Sequence, residues 1–175
     1  MMTSAYVLKE ISTAQLHVLD NMLQLYVHEM NEYFDYTIVL GNDGRYRIKS
    51  AARHLAAGWG YFIVVRGEYA GFILLNHQTK SLGGTFIAEF FILPRFRRGS
   101  FYKYVISGLL ATSEGIVEYR VIKKNKRALS LFNDLAKRYL SAIQRIDEYE
   151  NGTEYFRFIF DTANVTNAAE KYEKH

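Results

Sequence analysis

Apolar positions recur at helical spacing early in the chain. Leu16, Leu19, Leu23, Tyr26, Val27 and Met30 fall on one face of a helix over residues 13–33. Ser12 and Gln15 stand at the spacing of a capping box, in which each side chain satisfies an orphan amide. A short strand over residues 6–10 precedes this helix. The run Gly41-Asn42-Asp43-Gly44 breaks the chain, and residues 48–57 read as a second, short helix ended by Gly58. The pattern then changes to short apolar runs. Strands are predicted over 61–66 and 70–76, joined at Gly67 and Glu68, and over 85–93 after the loop Ser81-Leu82-Gly83-Gly84. A helix over 100–113, a strand over 117–122 and a helix over 126–140 follow. The chain closes on a hairpin, 142–149 with 153–160, around Asn151-Gly152, a strong short-range turn signal.

The resulting order is β-α-α-β-β-β-α-β-α-β-β. An antiparallel meander runs into a βαβ unit, which predicts an α/β (α+β) mixed sheet with flanking helices. Residues 1–160 read as one domain and 161–175 as a polar tail. The length of 175 residues suits a single domain, and 49% hydrophobic residues suffice for a full core. No apolar run reaches the ~20 residues of a membrane span. The opening Met1-Met2-Thr3-Ser4-Ala5 lacks the basic and apolar regions of a secretory signal. The absence of cysteine excludes disulfides, thiolate zinc sites and a cysteine nucleophile, and a cytoplasmic location is expected. A net charge of +4 accommodates a phosphate-bearing ligand without demanding nucleic acid.

Chemistry concentrates where the strand over 85–93 meets the next helix. There the chain reads Glu89-Phe90-Phe91-Ile92-Leu93-Pro94-Arg95-Phe96-Arg97-Arg98-Gly99-Ser100-Phe101-Tyr102. Backbone amides at a helix start, beside arginines, form an anion site fit for a diphosphate. Spacing alone reads equally well as a basic, solvated turn.

These residues resemble the GNAT superfamily, the acetyl-coenzyme-A-dependent N-acetyltransferases. Ile92, Pro94, Phe96 and Arg97 are similar to its V-x-P-x-Y-R pattern at the end of the fourth strand. Glu89-Phe90-Phe91-Ile92 resembles the E-F-F-V of one bacterial branch of predicted acetyltransferases. Asn125-Lys126-Arg127-Ala128 with Phe132 is similar to the N-x-x-A-x-x-x-Y/F/W box, and Gly67 to Phe72 to that branch's G-x-x-x-G-F/Y hairpin. The resemblance implies an acyl-CoA N-acyltransferase fold, with a mostly antiparallel central sheet splayed between its fourth and fifth strands and coenzyme A in that gap. It implies acetyl-CoA as co-substrate and an amine as acceptor. It places Phe91, Ile92 and Leu93 at the thioester carbonyl, and Arg97, Arg98, Gly99, Ser100, Phe101 and Tyr102 at the pyrophosphate. Asn125 falls at the pantetheine arm or at the start of the following helix. The acceptor enters past residues 26–35.

The chain departs from the family at the pyrophosphate loop, Q/R-x-x-G-x-G/A. Counted from Arg97, the glycine positions hold Ser100 and Tyr102, with Gly99 one place early. Glycine serves there because a Cβ crowds backbone that must approach phosphate. Amine acetylation also needs a base for the ammonium and an acid for the leaving thiolate. By the resemblance the base is Glu89, whose aromatic neighbours would raise its pKa; a surface or structurally paired glutamate is the plain alternative. The usual acid, a tyrosine on the later helix, is Phe132 here, and Tyr102, Tyr104 and Tyr139 are the substitutes at hand. A thiolate leaves fairly well unaided.

The remaining candidates carry less. His28-Glu29-Met30-Asn31-Glu32 lacks a second histidine at four-residue spacing and reads as a polar helix face, so no metal is expected. His17, His54 and His77 are isolated. Arg120, Lys123, Lys124, Lys126 and Arg127 make a basic cluster: a solvated edge, a contact for the 3′-phosphate of coenzyme A, or, least favoured, nucleic acid. Trp59 and Tyr61 read as packing residues before pocket residues. The final hairpin offers an edge for pairing two copies. Two functions follow: an acetyl-CoA-dependent N-acetyltransferase, or a protein of this fold that has lost the reaction and serves as a protein-binding, regulatory or nucleic-acid-binding module.

Overall fold

The computed structural model describes residues 6–34, 36–81, 83–138 and 143–163. The chain forms β1 (Tyr6–Glu10), α1 (Leu16–Met30), α2 (Ala51–Ala56), β2 (Gly58–Val65), β3 (Glu68–Asn76), β4 (Thr85–Ile92), α3 (Phe101–Thr112), β5 (Ile116–Ile122), α4 (Lys126–Arg138), β6 (Ile143–Glu150) and β7 (Thr153–Asp161). The strands hydrogen-bond in the order β1-β2-β3-β4-β5-β7-β6. Pairing is antiparallel for β1 with β2, β2 with β3, β5 with β7 and β6 with β7, and parallel for β4 with β5. This is the mixed α/β sheet that the sequence predicts.

Two compact units share strand β4. The first comprises residues 1–76 and 88–96, the second residues 77–87 and 97–175. In the first unit the α1 stripe packs on the sheet: Leu19, Met22 and Leu23 join Ala51, Phe62, Phe72, Leu74 and Phe91 in one apolar core. A 3-10 turn (Thr13–Gln15) precedes α1, and the Gln15 Oε1 accepts from the Ser12 N–H at 3.2 Å, so the predicted reach-back is present. The helix ends at Met30, three residues earlier than expected, where 31–33 form turns. Helix α2 starts at Ala51 rather than Ile48, because Ser50 is extended and accepts from the Arg53 N–H through its hydroxyl. The β2–β3 turn lies at Arg66 (φ 51°) and Gly67 (φ 82°), one residue before the predicted pair, since a two-residue hairpin needs positive φ at both. Gly71 is required by packing. A Cβ there would collide with the Phe91 carbonyl oxygen of β4.

In the second unit α4 lays Phe132 against Tyr119 of β5 and Phe158 and Phe160 of β7, at centroid distances of 4.5, 5.4 and 6.2 Å. Val105, Ile106, Leu109 and Leu110 of α3 are buried as well. The predicted Asn151-Gly152 turn carries positive φ at both residues, 49° and 83°. The parallel ladder of β4 on β5 runs from Thr85↔Val117 to Ile87↔Tyr119. The expected helix end at 139–140, the hairpin start at Ala142 and the tail beyond Ala163 lie outside the described residues.

Candidate active site

The strand-end half of the predicted site belongs to the first unit. Glu89 is half-buried on β4, next to the buried Phe90. Phe91 and Ile92 are buried, and Phe91 stands 5.7 Å from both Tyr26 and Phe72, ring to ring. The Leu93 N–H donates to the Ala70 carbonyl at 2.8 Å, and the Phe96 N–H to the Leu93 carbonyl at 2.9 Å. The chain then turns through a 3-10 segment, Pro94–Phe96. Arg95 is ion-paired with Glu68 of the hairpin and lies over the Phe96 ring at 4.6 Å. This arginine therefore serves the turn.

The basic half belongs to the second unit. Arg97 is half-buried and Arg98 exposed. Gly99 adopts φ +61°, and nothing lies within 4 Å of the place a Cβ would occupy. Glycine is needed for the left-handed backbone, and the space beside it is open. Ser100 is the N-cap of α3 and makes no side-chain capping hydrogen bond. Phe101 and Tyr102 are half-buried in the first turn. The first N–H groups of any α-helix lack intrahelical partners and carry the positive end of its dipole. The bend thus presents two arginines, an unobstructed glycine and a helix start in succession, one residue out of step with the family pattern.

Asn125 has a clear structural duty. Its Oδ1 accepts from the Ala128 N–H at 3.1 Å and its carbonyl from the Leu129 N–H at 2.9 Å, capping α4. Phe132 is fully buried in the aromatic core of its unit. Tyr104 is exposed, and Tyr139 lies outside the described residues. In the basic cluster, Arg120 pairs with Glu150 at 2.5 Å, and Lys123 with Asp147 at 2.7 Å and Glu154 at 3.4 Å. Lys124, Lys126 and Arg127 are exposed. His28 Nδ1 lies 2.8 Å from the Tyr46 hydroxyl. Among the described residues no three histidine, cysteine or acidic side chains group as metal ligands. Trp59 and Tyr61 are half-buried on β2.

Sequence reading passed over the strongest electrostatic feature. Glu118 of β5 is fully buried, 0% exposed. It accepts the Lys80 N–H at 3.1 Å, the Ser81 N–H at 2.9 Å and the Arg157 Nη1 at 2.6 Å. Arg157 of β7 also donates from Nε to Glu148 of β6 at 2.8 Å and lies 5.1 Å from the Phe86 ring centroid. The Lys80 ammonium pairs with the same Glu148. Burial works to raise the Glu118 carboxyl, but hydrogen bonds from Ser81, Lys80 and Arg157 outweigh it and hold the group below the ordinary carboxylate range. Glu148 is held low in the same way, burial being overcome by Arg157 and Lys80. The available signal was a charge set among apolar residues in each of two strands, Glu118 in I-V-E-Y-R-V-I and Arg157 in Y-F-R-F-I-F.

No protein-family model matches this sequence, and no curated protein matches it. Solved structures do. The chain is similar to spermidine N-acetyltransferase from Vibrio cholerae in complex with CoA and spermine, with a TM-score of 0.64 and 13% identity over 93% of this chain and 99% of the other. It is likewise similar to the spermidine/spermine N-acetyltransferase of that organism with manganese ions, TM-score 0.62, 13% identity, covering 95% and 98%. A third, a dodecameric spermidine N-acetyltransferase of the same organism, gives a TM-score of 0.61 at 13% identity over 94% and 98%. At such identities the likeness speaks for architecture alone, and together with the element order and the parallel β4–β5 pair it shows that this chain has the GNAT N-acetyltransferase fold.

Proposed function

We propose that the chain is an acetyl-CoA-dependent N-acetyltransferase acting on an amine. The observation that carries this reading is the open bend before α3, with Gly99 in the left-handed conformation between Arg98 and the helix start, in a chain of GNAT fold. Arg97, Arg98 and the first amides of α3 hold the pyrophosphate. Glu89 takes the proton from the acceptor ammonium, so that the amine can attack the thioester carbon. The leaving thiolate needs no acid, which suits the burial of Phe132 where the family places a tyrosine. The neighbours acetylate spermidine, so polyamines are the first acceptors to try. The reading also places the reaction in the cytoplasm and admits self-association through the edge strand β6.

Two measurements test it. Acetyl-CoA at a hundred times its Kd raises unfolding stability by about 2.7 kcal/mol; no thermal shift at millimolar concentration defeats the reading. With binding established, Glu89→Gln lowers kcat by about 100-fold or more at unchanged acetyl-CoA affinity. Unchanged turnover removes Glu89 from the chemistry. The second reading, a binding protein without the reaction, draws on Phe132 being sealed in the core and on Tyr102 in a glycine position. It predicts acetyl-CoA binding without turnover of any amine.

A further inference from the structure

Four charges in the second unit are arranged unlike any other ion pair among the described residues. Glu118 is fully buried, and the side chains of Glu148 and Arg157 are 8% and 7% exposed. The fourth charge, the Lys80 ammonium, comes from a side chain 59% exposed on the loop before β4. Two buried carboxylates are therefore balanced by one buried guanidinium and one ammonium reached from solvent. Arg120 stands 4.0 Å from Glu148, but its shorter contact, 2.5 Å, is with the half-exposed Glu150. The loop depends on this balance twice over. The Lys80 side chain pairs with Glu148, while the Lys80 and Ser81 backbone N–H groups are held by Glu118. Thr79 closes the turn by donating its hydroxyl to the Ser81 carbonyl at 2.6 Å.

The other paired lysines differ. Lys103 meets Asp134, whose side chain is 41% exposed, and Lys123 meets Asp147 and Glu154, both more exposed still. Water compensates those carboxylates when the lysine charge is lost. It cannot do so for a carboxylate that is more than nine-tenths buried.

We propose that Lys80 is an acylation site at which loss of one charge unclamps the loop from β5, β6 and β7. The acyl donor is an acyl thioester of the acetyl-CoA class, and only this choice of donor rests on the function proposed above. In the step, the neutral Nζ attacks the thioester carbonyl carbon, the N–C bond forms and the C–S bond breaks. The sulfur leaves as thiolate, and the surplus proton on nitrogen passes to solvent. Nζ becomes a nucleophile only when it has left Glu148 and lost its proton, so acylation captures the open loop. The amide product is neutral and cannot return to balance Glu148.

The test uses the full chain carrying Nε-acetyl-lysine at position 80, installed during synthesis, and reads hydrogen exchange at the Lys80 and Ser81 amides. These amides exchange at least tenfold faster than in the unmodified chain, whereas K80R and a chain acetylated at Lys103 stay within twofold of it. Adding E148Q to the acetylated chain removes the unbalanced charge and restores slow exchange. Unchanged exchange in the acetylated chain, or no restoration by E148Q, overturns the proposal. In a second arm the unmodified chain is incubated with acetyl-CoA and mapped by peptide mass. Lys80 becomes acetylated, and faster in E148Q. Acetylation of exposed lysines with Lys80 left bare in both chains overturns the proposal. Neither arm requires turnover of an amine, so failure of the enzyme reading leaves this one standing or falling on its own.

Discussion

The two units bury different things. In the first, α1 and α2 meet β2, β3 and β4 through Leu19, Leu23, Phe62, Phe72 and Phe91, and no ionised side chain is buried there among the described residues. In the second, the sheet buries Phe158 and Phe160 together with Glu118 and Arg157. The first unit is held by volume and by close approach of strands. The second is also held by a charge balance, which contributes less net stability than it risks when broken. Sensitivity to substitution should accordingly differ in kind between the units.

The largest effect expected is in the second unit. Glu118→Leu leaves Arg157 buried with only Glu148 and strips the acceptor from two loop amides, so stability falls by about 3–5 kcal/mol. Adding Arg157→Met recovers much of that loss, because both charges are then gone. Denaturant titration of the two variants checks this, and a double variant no better than the single would show that volume governs this unit too.

Next comes Gly71→Ala in the first unit. The new Cβ meets the Phe91 carbonyl oxygen, backbone that cannot rotate aside, so β3 and β4 must separate. A cost of about 1–3 kcal/mol is expected for such overpacking. Alanine at Gly99 is a useful contrast: nothing crowds it, and its cost comes from φ alone. A neutral Gly71→Ala would mean that the strand contact is not tight.

The sequence made one of these styles legible and hid the other. Period-3.6 spacing located α1, and apolar runs located β2, β3, β4 and β5, because an apolar core writes itself into the pattern of one segment. The Asn151-Gly152 turn was readable for the same local reason. The helix ends and the Arg66–Gly67 turn shifted by one to three residues, since caps and turn geometry settle at single residues. The Glu118–Arg157 pair involves residues 39 apart, in strands that are neighbours only through the sheet order. Nothing local distinguishes that glutamate from one pointing into water. At the candidate site, residue types and order were readable around Gly99, but its left-handed φ is a backbone property that the residue pattern does not display. Asn125 could be read as a ligand contact or as a cap, and its hydrogen bonds supply the cap.

Acid separates the units more gently. Burial in the first unit, then the nearby Lys49, lowers His54 from 6.5 to about 4, against an opposing pull from Asp20. The folded state keeps this imidazole neutral. Its contribution is whole above pH 6.5 and is lost as pH falls toward 4, because the unfolded chain takes up the proton first. Glu118 and Glu148 have depressed folded values, so the second unit keeps their contribution down to the unfolded carboxylate range and loses it below. Hydrogen exchange between pH 6.5 and 4.5 should loosen α2 before β5 and β7, and His54→Asn should remove that early phase. Simultaneous loosening of both units would contradict the assignment.

The smallest effect is expected where a pair looks most like the buried one. Lys103 Nζ lies 2.5 Å from Asp134, a shorter contact than Arg157 makes with Glu118, and the lysine holds the aspartate below its usual range. Both side chains stay well exposed, so water screens the attraction and replaces either partner at once. Asp134→Asn should leave the denaturation midpoint where it was, at low salt and at high. Distance would then have no bearing on stability, and burial all of it. A clear loss in Asp134→Asn at high salt, comparable with that of Glu118→Leu, would mean that the second unit depends on its ion pairs generally and that the contrast between exposed and buried charges is misplaced.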